Sequence, residues 1–300
     1  MKNTPLVSII TPVLNGARYL DQCIQSVLNQ QYHHIEHVFI DGGSTDSTLD
    51  ILGIYKEQYP QKIVIISDPG STACSAINTG WKRAQGDIFG WLGADDLFTT
   101  NAILYAVNFF RNNPDAYFVH GGCDFVDENS NVFRKIGDRD FTVSELVNDD
   151  CYVAIMSSFY RREVVDRVGY MNTNISAKEL DILSKLLIGK PCIKEGILLP
   201  KLNSCDIDYW IRVGKTFKMH RIDHTLSQFR YNSGSITATK GGLIYPAEQF
   251  LISRKHGGNI FSHYARRYYK YLARQFSGPL YPVVRKLYRL TIKRLINSYE

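Results

Sequence analysis

The sequence has no uncharged apolar stretch long enough to cross a membrane as a helix. One such stretch, residues 99–110, has only 12 residues and an amphipathic pattern, whereas a membrane-spanning helix needs about 20 apolar residues. Residues 1–5 lead directly into an apolar, strand-like run, without the hydrophobic region and small-residue cleavage site of a signal peptide. We therefore expect neither a secretory signal nor a transmembrane helix.

Closely spaced cysteines are also lacking. The six cysteines stand far apart and none belongs to a Cys-x-x-Cys pair; they are Cys23, Cys74, Cys123, Cys151, Cys192 and Cys205. Zinc sites usually use such pairs, and disulfide frameworks are typical of short secreted chains. The sequence therefore predicts reduced thiols in a cytosol, and it disfavours a zinc site or a disulfide framework.

Acidic residues are scarce near the C-terminus. Residues 249–300 contain eleven lysines and arginines but one acid, Glu300, and so carry a formal charge of +10. Residues 1–248 carry −4, which gives the chain of 300 residues its net charge of +6. The positive charge is therefore a property of the tail and not of the whole protein.

The basic tail has the pattern of two amphipathic helices, separated by Gly278 and Pro279. On the first helix, one side carries an apolar stripe of Phe261, Ala265, Tyr268, Leu272 and Phe276. A basic polar face with an aromatic apolar face is typical of helices that lie in a membrane interface. The alternative is a helical hairpin packed on the rest of the protein. Nucleic acid is disfavoured, because no nucleic-acid-binding motif accompanies the charge.

The first 120 residues alternate β-branched runs with amphipathic segments. Strands are predicted at 6–10, 36–40, 63–67 and 87–92, and helices near 17–29, 45–58, 74–84 and 99–111. This alternation predicts βαβ units and a mainly parallel sheet. Residues 120–240 are richer in turns and aromatic clusters, which predicts a smaller antiparallel continuation with inserted helices, one of them at 176–189.

Polar loops follow each of the four predicted strands, at 11–16, 41–46, 67–70 and 93–96. The carboxyl ends of parallel strands meet at one edge of a sheet, where ligands bind. Asp46 is equally well explained as a helix cap. Asp95 and Asp96 are different, because adjacent carboxylates repel each other and an apolar strand that ends in two of them favours a divalent cation. Oxygen ligands favour Mg²⁺ or Mn²⁺ carried with a substrate diphosphate.

These motifs closely resemble glycosyltransferase family 2. The similar segments are LVSIITPVLN (6–15), SVLNQ (26–30), IDGGSTDST (40–48), GDIFGWLGADD (86–96), NPDAYFVHGGCDFVDENSNV (113–132), SSFYRREVVDRVGYMN (157–172), CDIDYWIRV (205–213) and FRYNSGSIT (229–237). The resemblance runs in order through about residues 5–240. The IDGGSTD segment is similar to the branch that builds bacterial cell-surface polysaccharides.

The resemblance implies an inverting, nucleotide-sugar-dependent enzyme with an α/β fold of the GT-A type. This fold is Rossmann-like, with a mainly parallel sheet and a small antiparallel part, here followed by C-terminal basic amphipathic helices. The GT-A domain would cover 1–240, with a nucleotide-sugar-binding half at 1–120 and an acceptor and catalytic half at 121–240. Residues 241–300 would form a basic helical tail that associates with a membrane.

The family's motifs also imply the site residues. Asp96 would bind the metal, Mg²⁺ or Mn²⁺, that bridges the diphosphate, and Asp95 would reach the ribose or the sugar. The rest of the nucleotide-sugar site would be lined by Thr11, Pro12, Asn15, Asp41 and Asp68.

On the acceptor side, Asp206 occupies the position of the family's catalytic carboxylate. Asp208 and Arg212 match the Asp and Arg that follow it in the motif. Trp210 lies in the same segment, where it could pack beside a sugar or in the core. The interval 173–204 that precedes this segment is longer than the family pattern.

Four positions depart from the family's commonest pattern. Leu14 stands where an aromatic ring often stacks on the base, and Gly42 replaces an Asp that can bind uracil, so the nucleotide base stays open. Cys205 replaces the Glu of the family's Glu-Asp pair, which removes one charge beside Asp206. Asn232 stands where a His often adds a contact to the metal.

The sequence thus predicts an inverting glycosyltransferase that moves a sugar from a nucleotide-diphosphate sugar to an acceptor hydroxyl. The acceptor would be a lipid-linked or other saccharide in surface polysaccharide synthesis. The protein would be cytoplasmic and peripheral on the inner face of the plasma membrane, with its tail on the anionic lipid surface.

Two alternatives remain. A nucleotidyltransferase usually has a basic, glycine-rich phosphate loop after the first strand, but residues 11–18 contain only one basic side chain, Arg18. A catalytically inactive sugar-binding or scaffold subunit of a membrane assembly is suggested by Cys205 and Asn232, although Asp95, Asp96 and Asp206 argue against it.

Overall fold

The sheet at the centre of the protein begins with four parallel strands. The structure is a computed structural model that describes residues 4–137, 139–151, 153–174, 204–232, 245–259 and 261–275. The four strands lie side by side in the order β3 (Ile63–Ser67), β2 (Ile35–Asp41), β1 (Val7–Val13) and β4 (Ile88–Trp91). All seven residues of β2 are buried, as expected for a parallel sheet covered on both faces. The predicted strands are confirmed.

Helices connect these strands, at the positions that the amphipathic segments predict. They are α1 (Ala17–Leu28), α2 (Thr48–Gln58) and α3 (Ala73–Arg83). Helix α3 begins with a capping box in which Thr72 and Ser75 bond each other's backbone N–H. Its Gly80 lies directly on β1, because a Cβ at this position would come within 2.5 Å of Ile10. The close contact of α3 with β1 therefore requires glycine here.

The second half of the chain extends the same sheet with mixed strands. Its elements are β5 (Leu97–Phe98), α4 (Ala102–Asn112), β6 (Phe118–Val126), β7 (Val132–Ile136), α5 (Val143–Asn148), β8 (Ser158–Arg161), α6 (Arg162–Val168), α7 (Cys205–Thr216) and β9 (Met219–Arg230). The sheet order continues β4-β8-β6-β9-β5, with β7 on the free part of β6. Strand β8 is antiparallel to β4 and β6, whereas β9 is parallel to β6. The predicted mainly parallel sheet with a smaller antiparallel part is confirmed.

The described part of the tail forms two helices, α8 (Tyr245–Lys255) and α9 (His263–Gln275). The ring of Phe250 on α8 stacks on Tyr268 of α9, with centroids 5.3 Å apart. Ala265 and Tyr268, two residues of the apolar stripe that the sequence assigns to a membrane, are buried in the protein. That assignment is wrong for these two residues, because a packed hairpin already covers them. Arg266 and Lys270 are exposed.

No helix within the described ranges is both long and apolar enough to span a membrane. The predicted helix at 176–189 and the second basic helix of the tail lie outside the described residues.

The prediction that all cysteines are reduced is wrong. Cys74 on α3 and Cys205 at the start of α7 form a disulfide, with Cα atoms 6.5 Å apart and 131 residues apart in sequence. Sequence spacing gives no sign of this pair, because the two helices are far apart in the chain and are brought together by the fold. Cys23 and Cys123 are buried free thiols.

Trp210 of α7 lies at the centre of an aromatic cluster. Its ring packs against Phe118, Tyr160 and Tyr209, with centroids 5.2, 5.8 and 5.3 Å away, and its side chain is fully buried. The proposed contact of Trp210 with an acceptor is therefore wrong. The residue belongs to the core, which was the alternative explanation of its position.

Trp210→Ala should lower the free energy of unfolding by about 3–5 kcal/mol, because a large buried ring is replaced by a cavity. Leu49→Ala is the control, since Leu49 is 46% exposed and such a surface change costs less than about 0.5 kcal/mol. Urea denaturation measures both variants. Equal stability of the two would show that Trp210 does not support the core.

Candidate active site

The site is centred on the two carboxylates that follow β4. Asp96 is only 2% exposed, and its Oδ1 accepts a hydrogen bond of 2.9 Å from the backbone N–H of Arg230. Asp95 is half-buried, and its Oδ2 accepts one of 2.9 Å from the Asn232 side chain. A Cβ on Gly93 would come within 2.5 Å of Asp96 Oδ2 and 3.1 Å of Asp95 Oδ1. The missing side chain of Gly93 therefore leaves the space into which both carboxylates turn.

Burial makes the negative charges of this pair costly. It raises the pKa of Asp96 well above its ordinary value, and the neighbouring charge of Asp95 raises it further. Burial also raises the pKa of Asp95, against the opposing effects of its backbone hydrogen bond, Asn232 and the Arg230 cation. A divalent cation would offset this cost, since it favours hard carboxylate oxygens.

The two carboxylates fit a divalent cation that a substrate helps to hold. The described residues contain no group of three or more His, Cys, Asp or Glu side chains arranged for a metal. Mg²⁺ commonly binds through one or two carboxylates together with substrate phosphates and water. Asp95 and Asp96 have the chemistry of such a site, and the remaining ligands would come from a diphosphate and from water.

Arg230 holds the site together, and the sequence did not reveal this role. Its guanidinium donates to the backbone oxygens of Asp95 and Glu128 at 3.2 Å and to the Gln22 side chain at 2.9 Å. It also lies 4.7 Å from the centroid of the Tyr19 ring. Arg230 thus joins α1, the loop after β4 and the turn after β6. Arg230 lies in the FRYN segment of a family motif. The contacts of its guanidinium could not be predicted from that motif, because they depend on the order of the strands in the sheet.

The loops after β1 and β2 hold each other through side-chain oxygens. Asn15 has a positive φ of 52°, and its Oδ1 accepts from the Thr45 N–H at 2.8 Å. Asp41 accepts from the N–H groups of Gly43 and Ser44, at 3.0 and 3.2 Å. These bonds fix a polar rim at the ends of the two strands.

Asp46 supports the starts of two helices, although their N-cap residues are Ser47 for α2 and Gly16 for α1. Its Oδ1 accepts from the N–H of Thr48 at 3.0 Å, at the start of α2. Its Oδ2 accepts from the N–H of Ala17 at 3.2 Å, at the start of α1. One carboxylate therefore serves the first turns of two helices.

The remaining predicted nucleotide-site residues differ in accessibility. Asp68 is half-buried, bonded to Asp41 through its backbone N–H at 2.8 Å, and its carboxylate accepts from Thr79 at 2.8 Å. Pro12 is partly exposed. Thr11 is fully buried and its hydroxyl bonds His37 at 2.8 Å. A ligand contact through the Thr11 side chain is therefore wrong, because that side chain points into the protein.

Asp206 lies in the first turn of α7 and is partly exposed. Burial of its carboxyl group, together with the nearby charge of Glu248, raises the pKa of Asp206 to about 6. A carboxylate with this pKa can accept a proton near neutral pH. Its helix is tied to α3 of the first half through the Cys74–Cys205 disulfide.

Asp208 and Arg212 support α7 instead of facing a ligand. Asp208 is fully buried, and its Oδ2 accepts from Arg212 at 2.9 Å and from Asn172 at 2.7 Å. Arg212 also donates to the backbone oxygens of Val168 and Tyr170, both at 2.8 Å. The predicted acceptor contact of Asp208 is wrong, because none of its surface is exposed. The hydrogen bonds of the Arg212 guanidinium go to other residues of the protein.

The structure thus gathers the predicted residues into separate groups. Asp95, Asp96 and Asn232 meet at the end of β4, while Asn15, Asp41 and Asp68 lie along the neighbouring strand ends. Asp206 stands on α7, next to Glu248 of the tail.

Comparison with known proteins identifies the family of the chain. The family model "Glycosyl transferase family 2" matches residues 8–169. An uncharacterized glycosyltransferase of Haemophilus influenzae is 34% identical over 134 residues, which are 45% of this chain and 53% of that protein. A PGL/p-HBAD biosynthesis glycosyltransferase of Mycobacterium bovis is 33% identical over 169 residues, 56% of this chain and 64% of that protein. The chain therefore spans about half to two thirds of the length of these relatives.

Solved structures share the fold at low sequence identity. S. aureus TarS 1–349 in complex with UDP-GlcNAc has a TM-score of 0.60 at 15% identity, over 92% of this chain and 74% of that chain. The mannosyltransferase PcManGT from Pyrobaculum calidifontis, in complex with GDP-Man and Mn²⁺, has a TM-score of 0.58 over 99% of this chain and 84% of that chain. The family model covers over half of the chain. The chain therefore belongs to glycosyl transferase family 2, and it has the GT-A fold.

Proposed function

We propose that this protein is an inverting glycosyltransferase that moves a sugar from a nucleoside-diphosphate sugar to an acceptor hydroxyl. The observation that carries the proposal is the pair of adjacent carboxylates at the end of β4, the half-buried Asp95 and the buried Asp96, in a chain of glycosyl transferase family 2. The structural neighbours named above bind UDP-GlcNAc and GDP-Man, which supports a donor of this class.

Asp95 and Asp96 would hold a divalent cation, Mg²⁺ or Mn²⁺. When bound, the cation supplies positive charge beside the leaving diphosphate. The protein's own part is to orient the two carboxylates, through the backbone N–H of Arg230 and the side chain of Asn232. The Arg230 cation also opposes part of the effect of burial on their pKa values. Asn15 and Asp68 form the polar rim along which the nucleoside would lie, and Asp41, which is only 2% exposed, supports this rim through its bonds to Gly43 and Ser44.

Asp206 is the proposed general base. Its carboxylate would accept the proton of the acceptor hydroxyl as the oxygen attacks C1 of the sugar and the bond from C1 to the diphosphate breaks. One displacement of this kind inverts the configuration at C1. Holding donor and acceptor on one face of the sheet lowers the barrier by placing the reacting atoms close together.

The acceptor is proposed to be a saccharide, carried on a lipid at the inner face of the plasma membrane. The exposed Arg266 and Lys270 on α9 support an electrostatic contact with anionic lipid. Because Ala265 and Tyr268 are buried, this contact would depend on charge and not on insertion of the apolar side of α9.

Asp206→Asn should reduce kcat by about 10²–10⁴-fold, since an amide cannot accept the proton. Donor binding should stay within about twofold, because Asp206 does not hold the diphosphate. Transfer kinetics and donor calorimetry give the two quantities. Asp50→Asn, an exposed carboxylate on α2, is the matched control and should behave like the wild type. A kcat close to that of the wild type in Asp206→Asn would show that another group is the base. A wild-type protein that neither transfers the sugar nor hydrolyses the donor would favour the alternative, an inactive sugar-binding protein.

The pH dependence of kcat should report the pKa of Asp206. Because burial raises this pKa to about 6, the base is ionised above that pH and protonated below it. We therefore expect kcat to be constant at higher pH and to fall as the pH drops through about 6. A fall of kcat near pH 4, where an exposed Asp titrates, would contradict a base whose carboxyl group is buried.

The wild-type protein should bind vesicles that contain anionic lipid. Each Lys or Arg near such a surface contributes about 1 kcal/mol, and residues 277–294 contain five of them. A variant that ends at residue 276 keeps both described tail helices and should bind these vesicles at least about tenfold more weakly. Neutral vesicles are the control, and flotation measures binding. Equal binding of both proteins would contradict a membrane role for residues 277–300, and no binding by the wild type would contradict a membrane role for the tail.

A further inference from the structure

We infer that Glu248 on α8 is a positioning residue for Asp206. It supplies, from the tail, a carboxylate near the base, where the family's pattern has a Glu at the position of Cys205. This inference rests on the proposed function, because it concerns how the proposed base is held. It also assigns the first tail helix to the catalytic machinery.

Glu248 is tied to the start of α7 by a buried hydrogen bond. The residue is 3% exposed, and its Oε2 accepts from the backbone N–H of Ser204 at 2.9 Å. Ser204 is the residue immediately before α7, and its side chain makes no capping hydrogen bond. Helix N-termini carry unpaired N–H groups and a partial positive charge. Glu248 therefore supplies a carboxylate at the end of α7 that carries Asp206.

A second contact joins the other end of α8 to the same helix. Lys255 Nζ lies 3.1 Å from Asp208 Oδ1, and Nε2 of His256, the residue after α8, lies 3.0 Å from the same oxygen. Asp208 is fully buried and also paired with Arg212. Two points on either side of Asp206 are thus fixed by α8 and the residue that follows it, which leaves the first turn of α7 little freedom to move.

The body of α8 is anchored in the protein, so it can serve as a rigid support. Phe250, Leu251 and Ile252 are 1%, 4% and 2% exposed. Substituted side chains at Glu248 should therefore change the link to α7 without releasing the helix.

The charge of Glu248 also reaches Asp206, but it is the smallest of the effects on the pKa of that carboxyl group. Cys151 and Tyr264 also lie near it, but burial raises the pKa of both groups, so they stay neutral. Glu248 is the acidic neighbour whose charge raises the pKa of Asp206. In the family's pattern a Glu stands directly before the base, whereas here Cys205 takes that position and is bonded to Cys74.

The test compares two variants that separate length from charge. Glu248→Gln keeps the side-chain length and an oxygen that can accept from Ser204, but removes the charge. Glu248→Asp keeps the charge but withdraws the acceptor by one methylene group. If Glu248 acts by holding the backbone, Glu248→Gln should keep kcat within about threefold and Glu248→Asp should lower it about 10- to 100-fold, the loss typical of a misplaced catalytic group.

The kinetic readout is kcat per donor-binding site, with the donor Kd measured on the same sample. Loss of position should lower kcat and leave the donor Kd within about twofold, because the donor site lies on other elements. Glu248→Ala removes the acceptor and the charge, and should match Glu248→Asp. Glu57→Gln, an exposed Glu on α2, is the control for the loss of one charge.

Three results would overturn the inference. One is equal kcat per site in the wild type, Glu248→Asp and Glu248→Ala. Another is a parallel rise of donor Kd, which would indicate a general structural defect. The third is a low kcat in Glu248→Gln with a normal one in Glu248→Asp, which would mean that charge and not position is needed. A wild-type protein without transfer would instead contradict the proposed function, and so the two failures are distinguishable.

Discussion

The rest of the site depends on two adjacent carboxylates kept out of water. Asp95 and Asp96 follow a buried strand; burial raises the pKa of both, and the charge of Asp95 raises the pKa of Asp96 further. A protein can keep such a pair ionised only if positive charge is close to it. Arg230 provides part of that charge from β9, and the proposed cation would provide the rest.

This requirement explains why the second half of the chain returns to the first. Strand β9 lies beside β6 and β5, and its last residue reaches the loop after β4. Two residues further, Asn232 bonds Asp95. A helix from the tail then supports α7 through Glu248. The donor half and the acceptor half are thus joined by the same contacts that hold the charged groups in place.

The regular elements of the first half could be predicted closely, because β-branched runs and amphipathic segments depend on local pattern. The sequence also located Asp95, Asp96 and Asp206 through motifs. It failed at Asp208 and Trp210, whose place in the motif suggested a ligand although their side chains are buried. Position in a motif does not tell whether a side chain faces the site or supports it.

Other features depend on contacts between distant segments and left no local signal. The Cys74–Cys205 pair, the role of Arg230 and the bond from Glu248 to Ser204 each join parts of the chain more than 40 residues apart. The apolar stripe of α9 gave a correct helix but the wrong partner at Ala265 and Tyr268, since a surface that could bind lipid can equally bind another helix.

Calorimetry of UDP and GDP binding, with and without Mn²⁺, tests the central claim most directly. The wild-type protein should bind one of these nucleotides, and Mn²⁺ should strengthen that binding at least about tenfold, as expected if the cation joins the diphosphate to two carboxylates. Asp96→Asn should lose this dependence on Mn²⁺. Wild-type binding with the same affinity in both conditions, or full Mn²⁺ dependence in Asp96→Asn, would contradict a cation site at the end of β4.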